Sequence, residues 1–331
     1  MKLFAHCLGI ILFVAPAMLA DDNSKSVADA KPVQRQPGEY HLTSDSLPQD
    51  GVPKGKLAGP FLFHSRIFTN TVRKYWIFVP AQYTPEKPAC VLVFQDGQRA
   101  VKTNGSLRVP QVMENLIARK EMPVTIGIFI TPGSRGDEYK EAGGGNPDNR
   151  AVEYDSLNDS YARFIVEEML PEVGKTYNLT QDPEGCAIGG TSSGAICAFT
   201  VAWQRPDAFR KVFSCIGSYT SIAYRPAANG RPMIPGGDLY PTLIRKNPVR
   251  PVRIFLQDGS NDLSNEHGNW FLANEQMLSA LEYANLNAGR KKLAGPRYQI
   301  NHEWGDGGHS DAHGGAILPD ILRWLWQDYP K

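Results

Sequence analysis

The stretch that decides the reading is Gly185-Cys186-Ala187-Ile188-Gly189-Gly190-Thr191-Ser192-Ser193-Gly194-Ala195. Gly185–Gly189 is a short apolar run of strand character, and Ser193–Gln204 is an apolar run of helical character. Between them stands Gly190-Thr191-Ser192-Ser193-Gly194, a G-x-S-x-G sequence. In that setting the serine occupies a strained strand-to-helix turn, and the glycines let neighbouring backbone come close. The following helix points its N-terminus at the serine, where free N–H groups favour a developing oxyanion. The same five letters elsewhere would be an ordinary Gly/Ser turn. The setting makes them a nucleophile elbow, and the glycine spacing selects Ser192 over Ser193.

Outward from the elbow the chain alternates strand-like and helix-like runs. Upstream, Phe61–Thr69 and Val72–Val79 flank Asn70-Thr71 and predict a hairpin. Cys90–Gln95 and Val124–Ile130 are continuous apolar runs, as expected of strands covered on both faces, with a helix between them over Val109–Arg119. Thr131–Asn149 reads as a long loop and Leu157–Tyr177 as an amphipathic helix. Downstream come strands at Lys211–Ile216, Val252–Gln257 and Arg297–His302, and helices at Asn269–Leu286 and Gly314–Trp326. A hairpin followed by this alternation predicts an α/β-hydrolase fold: a mostly parallel sheet with helices on both faces and an N-terminal antiparallel hairpin.

In such a fold the nucleophile is followed in the chain by an acid and then a histidine. His309, in Gly307-Gly308-His309 between the last strand and last helix, is the expected base, with His313 as rival in what reads as the same loop. His302 falls in a strand, and His267 follows the preceding strand. For the acid, Asp258-Gly259-Ser260-Asn261-Asp262 follows a strand; Asp262 is preferred and Asp258 is the alternative. The oxyanion donors are expected at the backbone N–H of Ser193 and, from Asp96-Gly97-Gln98, of Gln98. Arg135, Arg150, Glu153, Tyr219 and Trp270 lie on loops where a substrate would sit, although such residues also cover core edges. His309 and His313 lie in a Gly-rich stretch rather than on one helix face, so no metal is expected. Gly143-Gly144-Gly145 lacks the strand and the Lys-Ser/Thr pair of a phosphate cradle, and no cofactor is expected.

The N-terminus has Lys2, an apolar run over Cys7–Ala20 and small residues before Asp21-Asp22, the layout of a secretory signal peptide. Residues 21–59 are polar, rich in Pro and Ser, and read as a linker or arm outside the core; 60–331 is the catalytic domain. With 331 residues and 42% of them hydrophobic, one large α/β domain is the expected size. A net charge of +1 with no basic block argues against nucleic acid. The expected location is therefore secreted or periplasmic, with no stable membrane span after cleavage. Cys90, Cys186, Cys197 and Cys215 fall in apolar runs and read as core residues. Pairing of Cys186 with Cys90 or Cys215 stays open.

Ile188–Ala195, Arg205-Pro206-Asp207-Ala208-Phe209 with Ile216-Gly217-Ser218, Phe94-Gln95-Asp96-Gly97-Gln98 and Gly307-Gly308-His309 together resemble the Putative esterase family of α/β-hydrolases, which includes enterochelin, feruloyl and acetylxylan esterases. The resemblance runs from about Phe61 to Tyr329. It favours His309 over His313 and implies a serine esterase acting on carbohydrate-linked acetyl or feruloyl esters, or on a siderophore-like ester. A lactonase or peptidase with the same triad, or a non-catalytic carbohydrate- or partner-binding protein, is the alternative.

Overall fold

The computed structural model describes residues 38–140 and 147–331. The expected signal peptide, the first part of the expected arm and Gly143–Gly145 lie outside them.

The main strands are β1 Lys56–His64, β2 Thr71–Val79, β3 Cys90–Gln95, β4 Thr125–Ile130, β5 Cys186–Thr191, β6 Lys211–Cys215, β7 Arg253–Gly259 and β8 Gln299–Gly305. They form one sheet in the order β1-β2-β4-β3-β5-β6-β7-β8, to which Ser134–Arg135 adds a short pairing on β2. β1 and β2 are antiparallel, as are β2 and β4; every pairing from β4 to β8 is parallel. This is the α/β-hydrolase architecture that the alternation predicts.

The continuous apolar runs are explained by two cores, one on each face. Alternate strand residues go to opposite sides. Val91, Val93, Ile188, Val212, Ile254 and Leu256 face one core, whereas Leu92, Phe94, Ala187, Phe213 and Phe255 face the other. Helix α1 (Gly97–Ala100) is a single turn after β3. On the second face lie α2 (Val109–Ala118) and α5 (Asp311–Trp326), through Val112, Leu116, Leu318 and Leu325. On the first lie α3 (Ser193–Gln204), α4 (Trp270–Arg290) and the helical segment 160–174.

Two of the differences from the sequence reading have a plain physical cause. β1 starts at Lys56 and ends at His64, because residues 65–70 form a bend held by Glu168, which accepts from Ser65 Oγ at 2.6 Å and Arg66 N–H at 2.9 Å. Residues 38–55, read as part of a free arm, are fastened along the domain. Gly38 N–H and the Tyr40 hydroxyl donate to Asp306 Oδ1 at 2.9 and 2.8 Å, and the Asp306 N–H donates to Tyr40 Oη at 3.0 Å. The Tyr40 ring stacks on His313 at 4.1 Å. Further along, Asn115 Nδ2 donates to the carbonyls of Asp45 and Leu47, and Lys54 and the Gly55 N–H donate to Glu114. These anchors are polar and aperiodic, so no hydrophobic pattern announces them. No helix among the described residues is long and apolar enough to cross a membrane.

Candidate active site

The elbow forms where β5 turns into α3. Ser192 has φ +59° and ψ −125°, a conformation that costs a side-chain-bearing residue about 1–3 kcal/mol and persists only when its surroundings impose it. They do so here: its N–H donates to the Cys215 carbonyl at 3.0 Å, and its carbonyl accepts from the N–H groups of Ala195 (3.0 Å) and Ser218 (3.2 Å). Contact requires glycine at 190 and leaves little room at 194. A Cβ on Gly190 would come within 2.5 Å of the Gly194 carbonyl, and one on Gly194 within 3.3 Å of Asp96 Oδ2.

Two loops at the carboxyl ends of β7 and β8 meet the serine. They cross so tightly that a Cβ on Gly259 would lie 2.2 Å from the Gly307 carbonyl. Ser260 N–H donates to the Gly305 carbonyl, and Asn261 donates from its N–H to Gly307 and from Nδ2 to Asp306. This crossing sets Asp262 beneath His309. The imidazole Nδ1 lies 2.6 Å from Asp262 Oδ1, and Nε2 lies 2.9 Å from Ser192 Oγ. With Nδ1–H donated to the carboxylate, Nε2 keeps its lone pair for the serine proton. The Asp262 side chain is fully buried and also accepts the Leu263 N–H at 2.5 Å. Thus Asp262, not Asp258, contacts the histidine.

Behind Ser192 stands Ser218, fully buried, its Oγ 3.2 Å from Ser192 Oγ. Trp270 Nε1–H donates to Ser218 Oγ at 3.1 Å. Because an indole only donates, the Ser218 proton is free to point at Ser192, leaving the Ser192 proton for His309. Sequence reasoning missed Ser218; the available signal was its place in Gly217-Ser218 just past β6, the neighbour of the elbow strand. Trp270 is next to the site, as expected, but as a buried support: its indole meets the His309 ring edge-on at 5.8 Å.

The loop after β3 abuts the elbow. Asp96, with φ +55°, is fully buried; burial opposes its ionisation, yet Arg150 and Arg99 hold its carboxyl below the usual range. Arg150 donates to both Asp96 oxygens, at 3.0 and 2.7 Å, and Arg99 bridges Asp96 (3.1 Å) to Thr191 Oγ1 (2.5 Å). Arg150 therefore braces this turn. Ser193 opens α3 and Gln98 is the second residue of α1, and N–H groups at the first turn of a helix have no intrahelical acceptor.

The remaining expected substrate contacts are placed elsewhere. Glu153 and Arg73 form an ion pair at 2.7 Å with both side chains wholly buried; Glu153 also takes the Gly133 N–H and Asn149 Nδ2, and Arg73 lies over Phe164. Removing one partner strands a buried charge. Glu153→Ala is expected to cost about 3–5 kcal/mol, seen as a melting temperature lower by roughly 6–10 °C. A change below 2 °C (about 1 kcal/mol) would show that the pair contributes little. Tyr219 is buried in the core with its hydroxyl on Ser214 Oγ at 2.9 Å. Arg135 is exposed, tied to Asp148 and Asn149 beside Asn70 and Val152. His313 lies inside α5 rather than in the loop, 3% exposed, between Gln257 and Glu303. The four described cysteines are free, buried thiols, with burial pushing Cys90 up to about 11 and Cys186 to about 12.

Asp155 lies next to the elbow and was not singled out from the sequence. Burial pushes its carboxyl up to about 6, against the hydrogen bond it receives from Ser193. The folded protein then holds this proton between about pH 4 and pH 6, where the unfolded chain has released it. Stability is lost as pH rises through that window, by up to about 3 kcal/mol. Asp155→Asn is expected to melt higher than wild type at pH 7 and to lose the advantage at pH 4. Parallel melting curves at the two pH values would contradict this.

The family model described as Putative esterase matches residues 68–310. The enterobactin esterase of Shigella flexneri, crystallised with 2,3-di-hydroxy-N-benzoyl-glycine, superimposes with a TM-score of 0.60 at 21% identity, over 86% of this chain and 62% of that one. A ferulic acid esterase of Anaeromyces mucronatus, in complex with ferulic acid, gives 0.59 at 15% identity, over 88% and 97%. The uncharacterized protein YbbA of Bacillus subtilis is 23% identical over 148 residues, 44% of this chain and 57% of its own. The chain thus spans less than two thirds of YbbA and of the Shigella enzyme, and the structural likenesses speak for the fold. The family match takes in all three loops that carry Ser192, Asp262 and His309, and on that match the chain belongs to the Putative esterase family.

Proposed function

We propose that this protein is an exported serine hydrolase that cleaves carboxylic esters through Ser192, His309 and Asp262. The observation that carries the reading is the unbroken pair of contacts, 2.6 Å from Asp262 to His309 and 2.9 Å from His309 to Ser192. His309 Nε2 takes the Ser192 proton as Oγ attacks the ester carbonyl, and the carbonyl electron pair moves onto oxygen. The N–H groups of Ser193 and Gln98 hold that oxyanion, each donor worth about 10^2–10^3 in rate. Collapse expels the alcohol, which takes the proton from His309. Water then enters, gives a proton to His309 and attacks the acyl-enzyme; collapse returns the proton to Ser192 and frees the acid. Asp262 stays ionised and holds the imidazole.

Carbohydrate-linked acetyl or feruloyl esters are the substrates proposed, with a siderophore-like ester as second candidate; the structural likenesses to a ferulic acid esterase and an enterobactin esterase support the feruloyl and siderophore members of this range. The test is labelling with a fluorophosphonate, mapped by mass spectrometry, alongside turnover of p-nitrophenyl acetate, acetylated xylan, feruloylated arabinoxylan and a catecholate siderophore. Label on Ser192 with turnover of one natural ester is expected. A folded protein that neither labels nor turns over would sink the reading in favour of a binding role.

A further inference from the structure

The hydrogen bonds of Asp262 are incomplete in a specific way. Oδ1 accepts from His309 and from the Leu263 N–H. Oδ2 is buried and receives no N–H or hydroxyl donor among the described residues. A buried carboxylate oxygen without a donor is costly. Its neighbour is a second carboxyl group: Asp258, the penultimate residue of β7 and wholly buried, lies close enough for the two side chains to act on each other directly.

Two carboxylates can only accept, so two buried ones side by side repel unless one carries a proton and donates it to the other. The donors around the pair say which. Asp262 holds two committed donors at 2.5 and 2.6 Å. Asp258 has one, the Gly259 N–H at 2.7 Å; its other is Asn274 Nδ2, whose two hydrogens are shared among Asp258, the Gly217 carbonyl and the Trp270 carbonyl. We propose that Asp258 is a neutral carboxylic acid whose O–H donates to Oδ2 of Asp262, making it a positioning residue for the triad acid. It stops the Asp262 carboxylate from rotating and keeps the negative charge on the group that faces His309. Burial first, then the neighbouring Asp262, pushes the Asp258 carboxyl far above the usual range. The other titratable group facing it, the Cys215 thiol on β6, is held neutral by burial. The inference rests on the triad reading above.

The experiment compares Asp258→Asn and Asp258→Ala with wild type in kcat/KM against pH and in infrared difference spectra. Wild type minus Asp258→Asn should show the C=O stretch of a protonated carboxylic acid at pH 7. Asparagine keeps a neutral N–H donor, and Asn274 can release it to its two carbonyls, so Asp258→Asn should lose no more than about threefold, with an unmoved acid limb. Alanine leaves Oδ2 bare and should lower kcat by about 10–100-fold with little change in KM. No acid band, or an acid limb displaced in Asp258→Asn as if a charge had been removed, overturns the proposal. Those two readouts decide it even if Asp258→Ala does not fold. Turnover surviving in Ser192→Ala would overturn the triad and this inference with it; an inactive Ser192→Ala without the acid band overturns this inference alone.

Discussion

Replacing Ser192 by alanine is expected to lower kcat for p-nitrophenyl acetate by roughly 10^4–10^6-fold while leaving KM nearly unchanged. The loss is large because His309 and the oxyanion donors have no covalent route without Oγ; they then assist only a direct attack by water. The fold should not suffer, since the hydrogen bonds that impose the strained turn are backbone ones, from Cys215, Ser218 and Ala195. Ser192→Gly adds a second handle. Glycine tolerates a φ of +59°, so this variant should be equally inactive yet about 1 kcal/mol or more stable than wild type. Measuring turnover and melting temperature on both separates chemistry from strain. More than about 1% residual turnover in either would mean that another group performs the attack.

His309→Ala is expected to be nearly as damaging, by roughly 10^4–10^6-fold, because serine and base act as one unit. The informative comparison is His313→Ala. His313 is buried between Gln257, Glu303 and the Tyr40 ring, so its loss should lower stability by about 2–3 kcal/mol through the cavity and the orphaned glutamine. The folded fraction should retain most of its kcat. If His313→Ala silenced a folded protein and His309→Ala did not, the two roles assigned here would have to be exchanged.

How far the sequence could be read depends on how local each constraint is. The elbow was legible because its strand, glycines and helix are contiguous in the chain, even though Cys215 and Ser218 help to hold it. The choice between His309 and His313 was not settled by spacing. Helix α5 begins at Asp311, behind a Ser310 cap, and a Ser-Asp pair at that point was the signal that puts His313 inside a helix. Glu153 was misread because the partner that explains it, Arg73, lies on another strand far away in sequence, and a carboxylate suited to a substrate is equally suited to a buried arginine. Tyr219 and Arg150 were read as binding residues for the same reason. Ser218 and Asn274 carry no motif of their own. Their roles arise only when β6, β7 and α4 are brought side by side.

Residues 38–40 also fix where the two ends of the folded body leave it. Gly38 is bonded to Asp306, in the loop that carries His309 at the carboxyl ends of the strands, whereas near the other end Tyr329 donates to Asp182, just ahead of β5 at their amino ends. Gly38 itself therefore lies beside the mouth of the candidate site. A solid support attached there would crowd incoming polymer, and one attached at the carboxyl end would leave the mouth facing outward.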